Sequence, residues 1–479
     1  MLPSSFRCFI YTDATLSTLI LIAYSFGNMQ KKQHILLVSY YFYPYADIGA
    51  KRMSELAKYL RNKGHKVTVI TADRREGNIH SALMADLNGI NIIKTWDPPS
   101  LIDSLWKKIK GFRTKKTHSR QSNSTLNEVK STQTNSQNET VFFLKRYLFS
   151  FQALFDAKKT WVFVSILKAL TLSFRQPFDV VISTSPPTVS HAVGLLVQFF
   201  YQTRWFMDLR DPLSQPDITL NKTKTRLRTC LETGFEGLLI KRSDKIICAS
   251  PGIEKNLSNN THASKKLLTL LNGFDGELAA KASLSENAGL RLLYAGQLYV
   301  NRNPFPLIDA LKNLISRGDI NAEKISLDFY GSCDKWNGIY LNDYLALHNM
   351  ASVVRVHGHL ASNELDSEIN NADILINFAQ GQKNQIPAKS YESMQKGKFS
   401  LVFTEPDSDT ATLIQATNSG LILDETNPLQ IENAIKNLYH KKTQGEAMFT
   451  FDRNAVKNFS REQQNNKFRA LIEEDTIRG

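Results

Sequence analysis

Short, uninterrupted apolar runs alternate along the chain with stretches in which apolar residues recur at helical spacing. The run Ile35–Tyr40 (ILLVSY) is typical of a strand that is buried on both faces of a parallel sheet. In Arg52–Lys63 the apolar residues share one helical face, and Gly64 follows at the position of a C-cap. The run Val67–Thr71 predicts the next strand, so the chain opens with a βαβ unit.

The same alternation continues in two series, which a more polar stretch at Asn256–Asn287 separates. Both series combine short apolar strands with amphipathic helices, the pattern of parallel α/β folds. The further predicted strands are Phe178–Thr184, Arg204–Leu209 and Lys245–Ala249 in the first series, and Leu290–Ala295, Ile325–Tyr330, Val353–His357, Asp373–Asn377, Phe399–Phe403 and Leu421–Leu423 in the second, where helices are predicted at Pro306–Ser316 and Lys389–Lys396.

We therefore predict an α/β protein with two Rossmann-like, doubly wound domains that face each other across a cleft. Its 479 residues are enough for two or three domains of roughly 150 residues each. We expect a first domain at 29–265, a linker at 266–288, a second domain at 289–453, and a C-terminal helix at 454–479 that packs back toward the first domain. Ligands usually bind in such a cleft.

One segment of the first domain differs in composition from the rest. Residues 111–140 are rich in Ser, Thr, Asn, Gln and Lys, which predicts a flexible insertion, and the aromatic run Phe142–Phe155 follows them. Of the net charge of +14, a net +9 lies in Trp106–Thr160, which holds 12 Lys and Arg against three Asp and Glu. This predicts docking on an anionic membrane surface. The alternative is that Phe142–Phe155 is a core helix and the charges are merely solvated.

The N-terminal apolar run Ala14–Phe26 is too short for the roughly 20 residues that span a bilayer. We expect the native start at Met29, with residues 1–28 a non-native extension; a signal anchor is the alternative. The four cysteines contain no Cys-x-x-Cys pair, which argues against a disulfide scaffold and a Cys-based zinc site. Their pattern is compatible with a reducing cytoplasm.

Candidate site residues in the first domain follow the predicted strands. Gly49 and Arg52 lie between a strand and a helix, where backbone N–H groups can hold an anion; a turn glycine is the alternative for Gly49. His191 comes in the first turns of a helix and is predicted to face the cleft, unless it is a structural histidine. The segment Asp208-Leu209-Arg210-Asp211-Pro212 ends a strand with three charges, which serve the cleft or form a structural Asp–Arg pair.

The second domain offers two further motifs. Arg302 lies six residues after Gly296 and beyond a strand end, where its guanidinium is placed to clamp a diphosphate; a solvated Arg is the alternative. Glu392 lies one helical turn after Lys389, and its carboxylate suits two hydroxyl groups of a ribose. Taken alone, this motif also fits a surface Lys–Glu pair.

Together these motifs resemble the retaining nucleotide-sugar glycosyltransferases of GT-B architecture (family 4-like, group 1), which build bacterial surface polysaccharides. The resemblance runs from Ile35 to about Asp424, apart from the insertion. The stretches that carry it are YFYPYADIGAKR, FDVVISTSPPTVSHAVG, WFMDLRDP, LLYAGQLYVNRNP and IPAKSYESMQKGK, together with the sequence Asn272-Gly273-Phe274-Asp275 before the second domain.

The resemblance implies roles for individual residues. Glu392 matches the second Glu of the family's paired-Glu motif, which holds the donor ribose, and Arg302 matches the basic residue on the donor diphosphate. Gly49 matches the loop glycine near phosphate and acceptor. His191 and Asp208 fall on the acceptor side. The remaining candidates are Arg52, Arg210 and Asp211 beside the acceptor, and Gly296, Gln297, Asn384 and Lys389 beside the donor.

Two positions depart from the family's pattern. Asn384 stands where the family has its first Glu, and Gln297 stands where many members carry Arg beside the phosphates. A non-catalytic protein of polysaccharide assembly is therefore the alternative to an enzyme. A nucleic-acid binder is a weaker alternative, because the chain lacks a recognisable nucleic-acid module.

The resemblance also implies a reaction. A sugar passes with retention from a nucleotide-sugar donor to a lipid-linked or glycan acceptor in the synthesis of O-antigen, capsule or exopolysaccharide. No metal, cofactor or side-chain nucleophile is implied. Such an enzyme is expected in the cytoplasm, peripheral on the inner face of the cytoplasmic membrane.

Overall fold

The computed structural model describes residues 32–45, 48–74, 86–97, 159–211, 226–260, 263–279 and 289–474. Within these ranges two parallel sheets are present, each flanked by helices, which confirms the predicted fold class. The strands are β1 His34–Val38, β2 Lys66–Asp73, β3 Asn91–Trp96, β4 Val180–Ser185, β5 Arg204–Leu209, β6 Lys245–Cys248, β7 Leu267–Thr269, β8 Leu290–Ala295, β9 Ile325–Tyr330, β10 Lys335–Trp336, β11 Ile339–Tyr340, β12 Val354–Gly358, β13 Ile374–Phe378, β14 Phe399–Phe403 and β15 Gly420–Leu423.

The helices alternate with these strands, as parallel connections require. They are α1 Ile48–Asn62, α2 Lys159–Arg175, α3 Ser190–Tyr201, α4 Arg226–Arg242, α5 Pro251–Asn260, α6 Phe305–Ser316, α7 Leu341–Leu347, α8 Ser362–Asn371, α9 Ala388–Gln395, α10 Asp409–Thr417, α11 Pro428–Gln444, α12 Arg453–Lys457 and α13 Arg461–Glu474.

The strand order places the earliest strand of each domain in the interior of its sheet. In the described part of the first domain the order is β3-β2-β1-β4-β5-β6-β7, and in the second it is β12-β9-β8-β13-β14-β15. In β1, Ile35 pairs with Val67 on one side and with Val180 on the other. Side chains on both faces of this strand are buried, which explains why it reads as a continuous apolar run.

Two predicted boundaries were wrong. Helix α1 begins at Ile48, four residues before the predicted start at Arg52, so Gly49 and Arg52 lie in its first two turns. Gly49 is typical of a loop in the sequence, although a glycine is tolerated in the first turn of a helix. Strand β7, at Leu267–Thr269, pairs with β6 inside the segment 266–288 that was predicted as a linker. A strand of three residues is too short to produce a recognisable periodic pattern in the sequence.

The last helix of the described chain packs against the first domain. Phe468 and Ile472 of α13 are buried in the same hydrophobic cluster as Ile35 and Leu60. The side-chain amide of Gln33 donates a hydrogen bond to the carbonyl oxygen of Ile472 (3.1 Å). The first domain therefore obtains part of its core from the far end of the chain.

Several predictions fall on residues outside the described ranges. These are the start at Met29 with the apolar run Ala14–Phe26, the flexible insertion 111–140, the aromatic run Phe142–Phe155 and most of the basic segment. Among the residues that the structure does describe, no helix has the length and apolar character needed to cross a membrane.

The packing between α3 and β5 yields a first prediction. A Cβ atom added to Gly194 would overlap the indole nitrogen of Trp205 and lie 2.7 Å from its Cδ1. We expect Gly194→Ala to lower the free energy of unfolding by about 1–3 kcal/mol, because a buried ring must move. Gly234→Ala is the matched control: no atom lies within 4 Å of the added Cβ on α4, and we expect a gain of about 0.5–1 kcal/mol. Denaturant unfolding of both variants checks the pair; a loss in both would contradict the packing argument.

Candidate functional site

Three contacts bring the carboxyl ends of the strands in the two domains together. The Ser250 hydroxyl donates to the carbonyl oxygen of Asn384 (2.7 Å), and the backbone N–H of Gly252 donates to Asp409 (2.8 Å). The Gln385 amide donates to Asp211 (2.8 Å). Asp211 and Asn384, which were predicted on opposite sides of the cleft, therefore lie at one junction between the domains.

The predicted cleft residue Asp208 forms a buried ion pair with Arg52. Its Oδ1 accepts hydrogen bonds from Arg52 Nε (3.1 Å) and Nη2 (2.9 Å), and its Oδ2 accepts one from the Thr184 hydroxyl (2.7 Å). The same guanidinium donates to the carbonyl oxygens of Leu270 and Leu271 (both 2.9 Å). The structural Asp–Arg pair that the sequence left open is thus present, but the arginine comes from α1.

Arg210 organises the loops at the same sheet edge. Its Nε donates to the carbonyl oxygen of Ser185 (2.8 Å) and its Nη1 to that of Gly49 (2.5 Å). A Cβ on Gly49 would lie 3.2 Å from Arg210 Nη1 and 3.3 Å from Tyr41 Cδ2, so position 49 has little room for a side chain. Burial lowers the pKa of the Arg210 guanidinium. Arg210 therefore connects the first turn of α1, which carries Gly49, to the end of β4.

His191 is completely buried, which agrees with the structural alternative that the sequence left open for this residue. Its Nδ1 lies 2.9 Å from the Ser183 hydroxyl, which also accepts a hydrogen bond from the indole of Trp205 (2.8 Å). Burial lowers the pKa of His191 to about 3, so the ring is neutral at physiological pH. The helix that carries His191 packs on β5, since Val193 and Val197 belong to the same buried cluster as Trp205.

On the donor side, Lys389 reaches from α9 to Gly296 at the end of β8. A Cβ on Gly296 would overlap Lys389 Nζ and lie 2.8 Å from its Cε, and the φ of Gly296 is +152°. The ammonium lies 4.2 Å from the centroid of the Tyr294 ring. Only glycine fits at position 296 while Lys389 occupies this place.

Arg302 lies beside Lys389. Its Nη1 donates to the carbonyl oxygen of Gln297 (3.0 Å), and its guanidinium carbon is 4.7 Å from the Tyr299 ring centroid. Its Nε is buried and has no hydrogen-bond partner among the described residues. The Gln297 side chain itself is exposed.

The start of α9 adds a third positive element. The helix begins at Ala388 after Pro387, and no side chain caps its N-terminus. Its free N–H groups and helix dipole favour an anion there. Glu392, one turn after Lys389, is exposed, and its carboxylate forms no hydrogen bond or ion pair within the described ranges. Asn384 lies just before the helix, and a Cβ on Gly252 would come within 2.5 Å of its Oδ1.

Sequence reasoning missed the residues that support Gly296. Cys333 donates a weak hydrogen bond from Sγ to the Gly296 carbonyl oxygen (3.2 Å), and Tyr294 donates to the Gln297 carbonyl (2.8 Å). Gly331 packs against the same peptide, because a Cβ there would lie 3.0 Å from the Gly296 carbonyl carbon. The glycine and cysteine directly after β9 were the available signal. In the described part of the chain, no group of His, Cys, Asp or Glu is arranged to hold a metal ion.

No protein-family model matches the sequence, and no curated protein shows detectable sequence similarity to it. Solved structures are similar over nearly the whole chain. Sucrose-phosphate synthase from Thermosynechococcus elongatus has 14% identity and a TM-score of 0.60, covering 94% of this chain and 100% of the other. HepE of Anabaena in complex with UDP has 11% identity and a TM-score of 0.57, with 92% and 100% covered.

The lipopolysaccharide outer core galactosyltransferase WaaB is also similar, with 12% identity, a TM-score of 0.55, and 92% of this chain and 99% of the other covered. In all three comparisons the similar region covers almost the whole length of the other protein. At these identities the similarity concerns the fold. The chain therefore has the two-domain GT-B fold that these glycosyltransferases share.

Proposed function

We propose that the protein is a glycosyltransferase that moves a sugar from a nucleotide-sugar donor to a lipid-linked or glycan acceptor. The observation that carries this proposal is the pair Arg302 and Lys389 at the end of β8, neither of which forms a salt bridge in the described ranges, next to the uncapped N-terminus of α9 that carries Lys389. Such a site suits a diphosphate. The HepE structures, solved with UDP and with UDP-glucose, show that this fold accommodates a nucleotide sugar.

The chemistry follows from the charges. When the bond from the anomeric carbon to the diphosphate breaks, negative charge grows on the leaving phosphate. Cations and a helix N-terminus already in place lower the energy of that transition state without reorganising. We propose transfer with retention, in which the leaving phosphate serves as the base on the same face of the sugar. Neither a metal ion nor a side-chain nucleophile takes part in this scheme.

The fold also serves a second candidate function, a non-catalytic protein that binds sugar nucleotides in polysaccharide assembly. Asn384 and Gln297 favour this alternative, because both stand where the family that the chain resembles carries charged residues. Under this alternative a nucleotide binds, but no donor is cleaved and no acceptor is modified.

A donor screen tests the proposed function. The wild-type protein is mixed with UDP-, GDP-, dTDP- and CMP-sugars, while thermal shift and donor hydrolysis are followed together. We expect one nucleotide class to stabilise the protein and to be cleaved. Arg302→Met should weaken the binding of that nucleotide about 10–100-fold, since a hydrogen bond to a charged group contributes about 1.5–3 kcal/mol.

The control for the screen is Arg317→Met, which removes an exposed arginine at the end of α6. This variant should respond like the wild type. Stabilisation without cleavage, also in the presence of glycan acceptors, would favour the non-catalytic alternative. No response to any donor would contradict both.

We further propose that the first domain docks on an anionic membrane, which brings the site to a lipid-linked acceptor in bacterial polysaccharide synthesis. An apolar face lies on α2 and at the end of α3. It consists of side chains that are between 56% and 81% exposed: Phe163, Leu167, Phe174, Phe199 and Phe200. Exposed apolar surface of this kind marks an interaction site.

The charges around the apolar face favour anionic lipid as its partner. Helix α2 carries Lys168 and Arg175 and no acidic residue, and α3 carries neither Asp, Glu, Lys nor Arg. The Arg242 guanidinium lies 5.7 Å from the Phe199 ring centroid. Aromatic rings that enter a headgroup region beside basic side chains bind anionic membranes. We therefore propose a peripheral protein that docks through this apolar face on the inner face of the cytoplasmic membrane.

Vesicle co-sedimentation tests the docking. The full chain should bind vesicles that contain phosphatidylglycerol better than vesicles of phosphatidylcholine alone. The double variant Phe163→Ser/Phe174→Ser should lose this binding. Leu347→Ser/Leu429→Ser, which changes two equally exposed apolar residues of the second domain, should retain it. Equal binding of both double variants, or a dimer that only the first one disrupts, would overturn the assignment.

A further inference from the structure

Helix α5 of the first domain begins directly against the second domain. Its first residue, Pro251, has no backbone N–H, and the N–H of Ile253 donates to the Ser250 hydroxyl (3.3 Å). The N–H of Gly252 donates to Oδ2 of Asp409, which belongs to α10 of the second domain (2.8 Å). A carboxylate at a helix N-terminus is stabilised by such a hydrogen bond and by the helix dipole. One domain therefore completes the cap of a helix in the other.

The start of α10 also holds the segment that leads into α9, the helix of the proposed donor site. The backbone N–H of Asp409 donates to the carbonyl oxygen of Lys383 (2.9 Å), and the Thr410 hydroxyl donates to that of Gln385 (3.0 Å). Asp409 thus contacts the first domain through its side chain and the approach to α9 through its backbone.

The side chain of Asn384 lies against the same helix start. A Cβ atom added to Gly252 would come within 2.5 Å of Asn384 Oδ1 and 2.7 Å of Asp409 Oδ2, so the two oxygens meet over one glycine. The backbone carbonyl oxygen of Asn384 also accepts a hydrogen bond from the Ser250 hydroxyl (2.7 Å). A neutral amide tolerates the neighbouring carboxylate, whereas a glutamate at position 384 would add a second negative charge beside it.

We infer that Asn384 and Asp409 are positioning residues, which seat the start of α9 on helix α5 so that the donor site faces the first domain. This inference rests on the proposed function. It explains why an asparagine stands where the family that the chain resembles carries its first glutamate: Asn384 serves the contact between the domains. The proposed phosphate contacts lie entirely in the second domain, so loss of the contact with α5 should slow cleavage of the donor more than it weakens donor binding.

Gly252→Ala tests the inference, because the added methyl group must push the two domains apart at this point. Alanine suits the helical backbone of α5, so the first domain itself should remain folded. We expect faster hydrogen exchange in the full chain, measured by mass spectrometry, at residues 250–256 and 383–388, one segment from each domain. Gly237→Ala is the matched control: no atom lies within 4 Å of its added Cβ, and it should exchange like the wild type.

Kinetics with the nucleotide sugar found among the UDP-, GDP-, dTDP- and CMP-sugars separate positioning from binding. For Gly252→Ala we expect kcat of donor cleavage to fall about 10–100-fold and KM to change less than about threefold, since a hydrogen bond to a charged group is lost. Asp409→Ala should behave in the same way, and Asp409→Asn, which keeps an acceptor oxygen, should recover most of the loss. Asp407→Ala removes an exposed carboxylate just before α10 and should match the wild type.

Asn384→Glu gives the sharpest contrast. It restores the glutamate of the family, yet it should speed exchange in both segments and lower the rate of donor cleavage, because two carboxylates would meet over Gly252. If this variant instead cleaves the donor faster than the wild type, position 384 serves the donor; the inference is then overturned and the proposed function stands.

The exchange rates also decide the inference without any ligand. If Gly252→Ala leaves residues 383–388 at the wild-type rate, the contact does not hold the start of α9 and the inference is overturned. An equal loss of nucleotide affinity and cleavage in Gly252→Ala would likewise contradict a positioning role. If no donor binds the wild type, the proposed function falls, whereas faster exchange of both segments in Gly252→Ala would still support the contact.

Discussion

Glu392→Ala is expected to abolish the response to the nucleotide-sugar donor, both in thermal shift and in donor cleavage. The carboxylate is exposed beside Lys389 and free to accept hydrogen bonds from two hydroxyl groups of a ribose. Each hydrogen bond to a charged group contributes about 1.5–3 kcal/mol, so the loss of two weakens donor binding at least about 100-fold. The measurement is titration of the nucleotide identified in the donor screen.

Two further variants sharpen this prediction. Glu392→Gln keeps one acceptor oxygen and should lie between the wild type and Glu392→Ala in affinity. Glu446→Ala removes an exposed carboxylate after α11 and should bind like the wild type. A Glu392→Ala variant that still binds and cleaves the donor normally would show that the ribose is held elsewhere.

Arg52→Met is expected to lower the free energy of unfolding by about 3–5 kcal/mol, because it leaves the buried carboxylate of Asp208 without its ionic partner. The side chains of Arg52 and Asp208 are 9% and 0% exposed, and the arginine also ties α1 to the carbonyl groups after β7. Denaturant unfolding at constant pH measures the loss.

The neighbouring residue provides the control. Lys51 forms a half-exposed ion pair with Asp275 (2.9 Å), and Lys51→Met should cost less than about 1 kcal/mol. If Arg52→Met is too unstable to purify, the double variant Arg52→Met/Asp208→Asn should regain part of the loss, because no unpaired charge remains. Equal losses in Arg52→Met and Lys51→Met would mean that the buried pair contributes little.

The layout of the two sheets was readable from the sequence because their strands are buried on both faces. Strands such as Ile325–Tyr330 and Phe399–Phe403 therefore appear as apolar runs between turn residues, and the structure has them at the predicted bounds. Short or polar elements lack this signal. Strand β7 has three residues, and α1 starts in a segment whose proline and glycine resemble a loop.

The site was predictable as a set of residues but not as a set of contacts. The motifs placed Asp208 and Arg210 at a strand end, yet the ionic partner of Asp208 lies 156 positions earlier in the chain, on α1. Local spacing left open whether His191 is accessible, and only the tertiary structure shows that it is buried and lies against the Ser183 hydroxyl. The place of Lys389 over Gly296 depends equally on tertiary structure.

The return of α13 to the first domain has a consequence for how the protein is made. Gln33 and Ile472, which are hydrogen-bonded in the folded chain, are separated by 439 positions. A ribosome therefore completes the whole second domain before Phe468 and Ile472 emerge to close the first core. Until then, the apolar surface of the first domain that α13 covers in the folded chain is exposed to solvent. A fragment of the first domain that ends after Leu271 is expected to retain that defect, whereas a fusion that returns Arg461–Glu474 to it should complete the core.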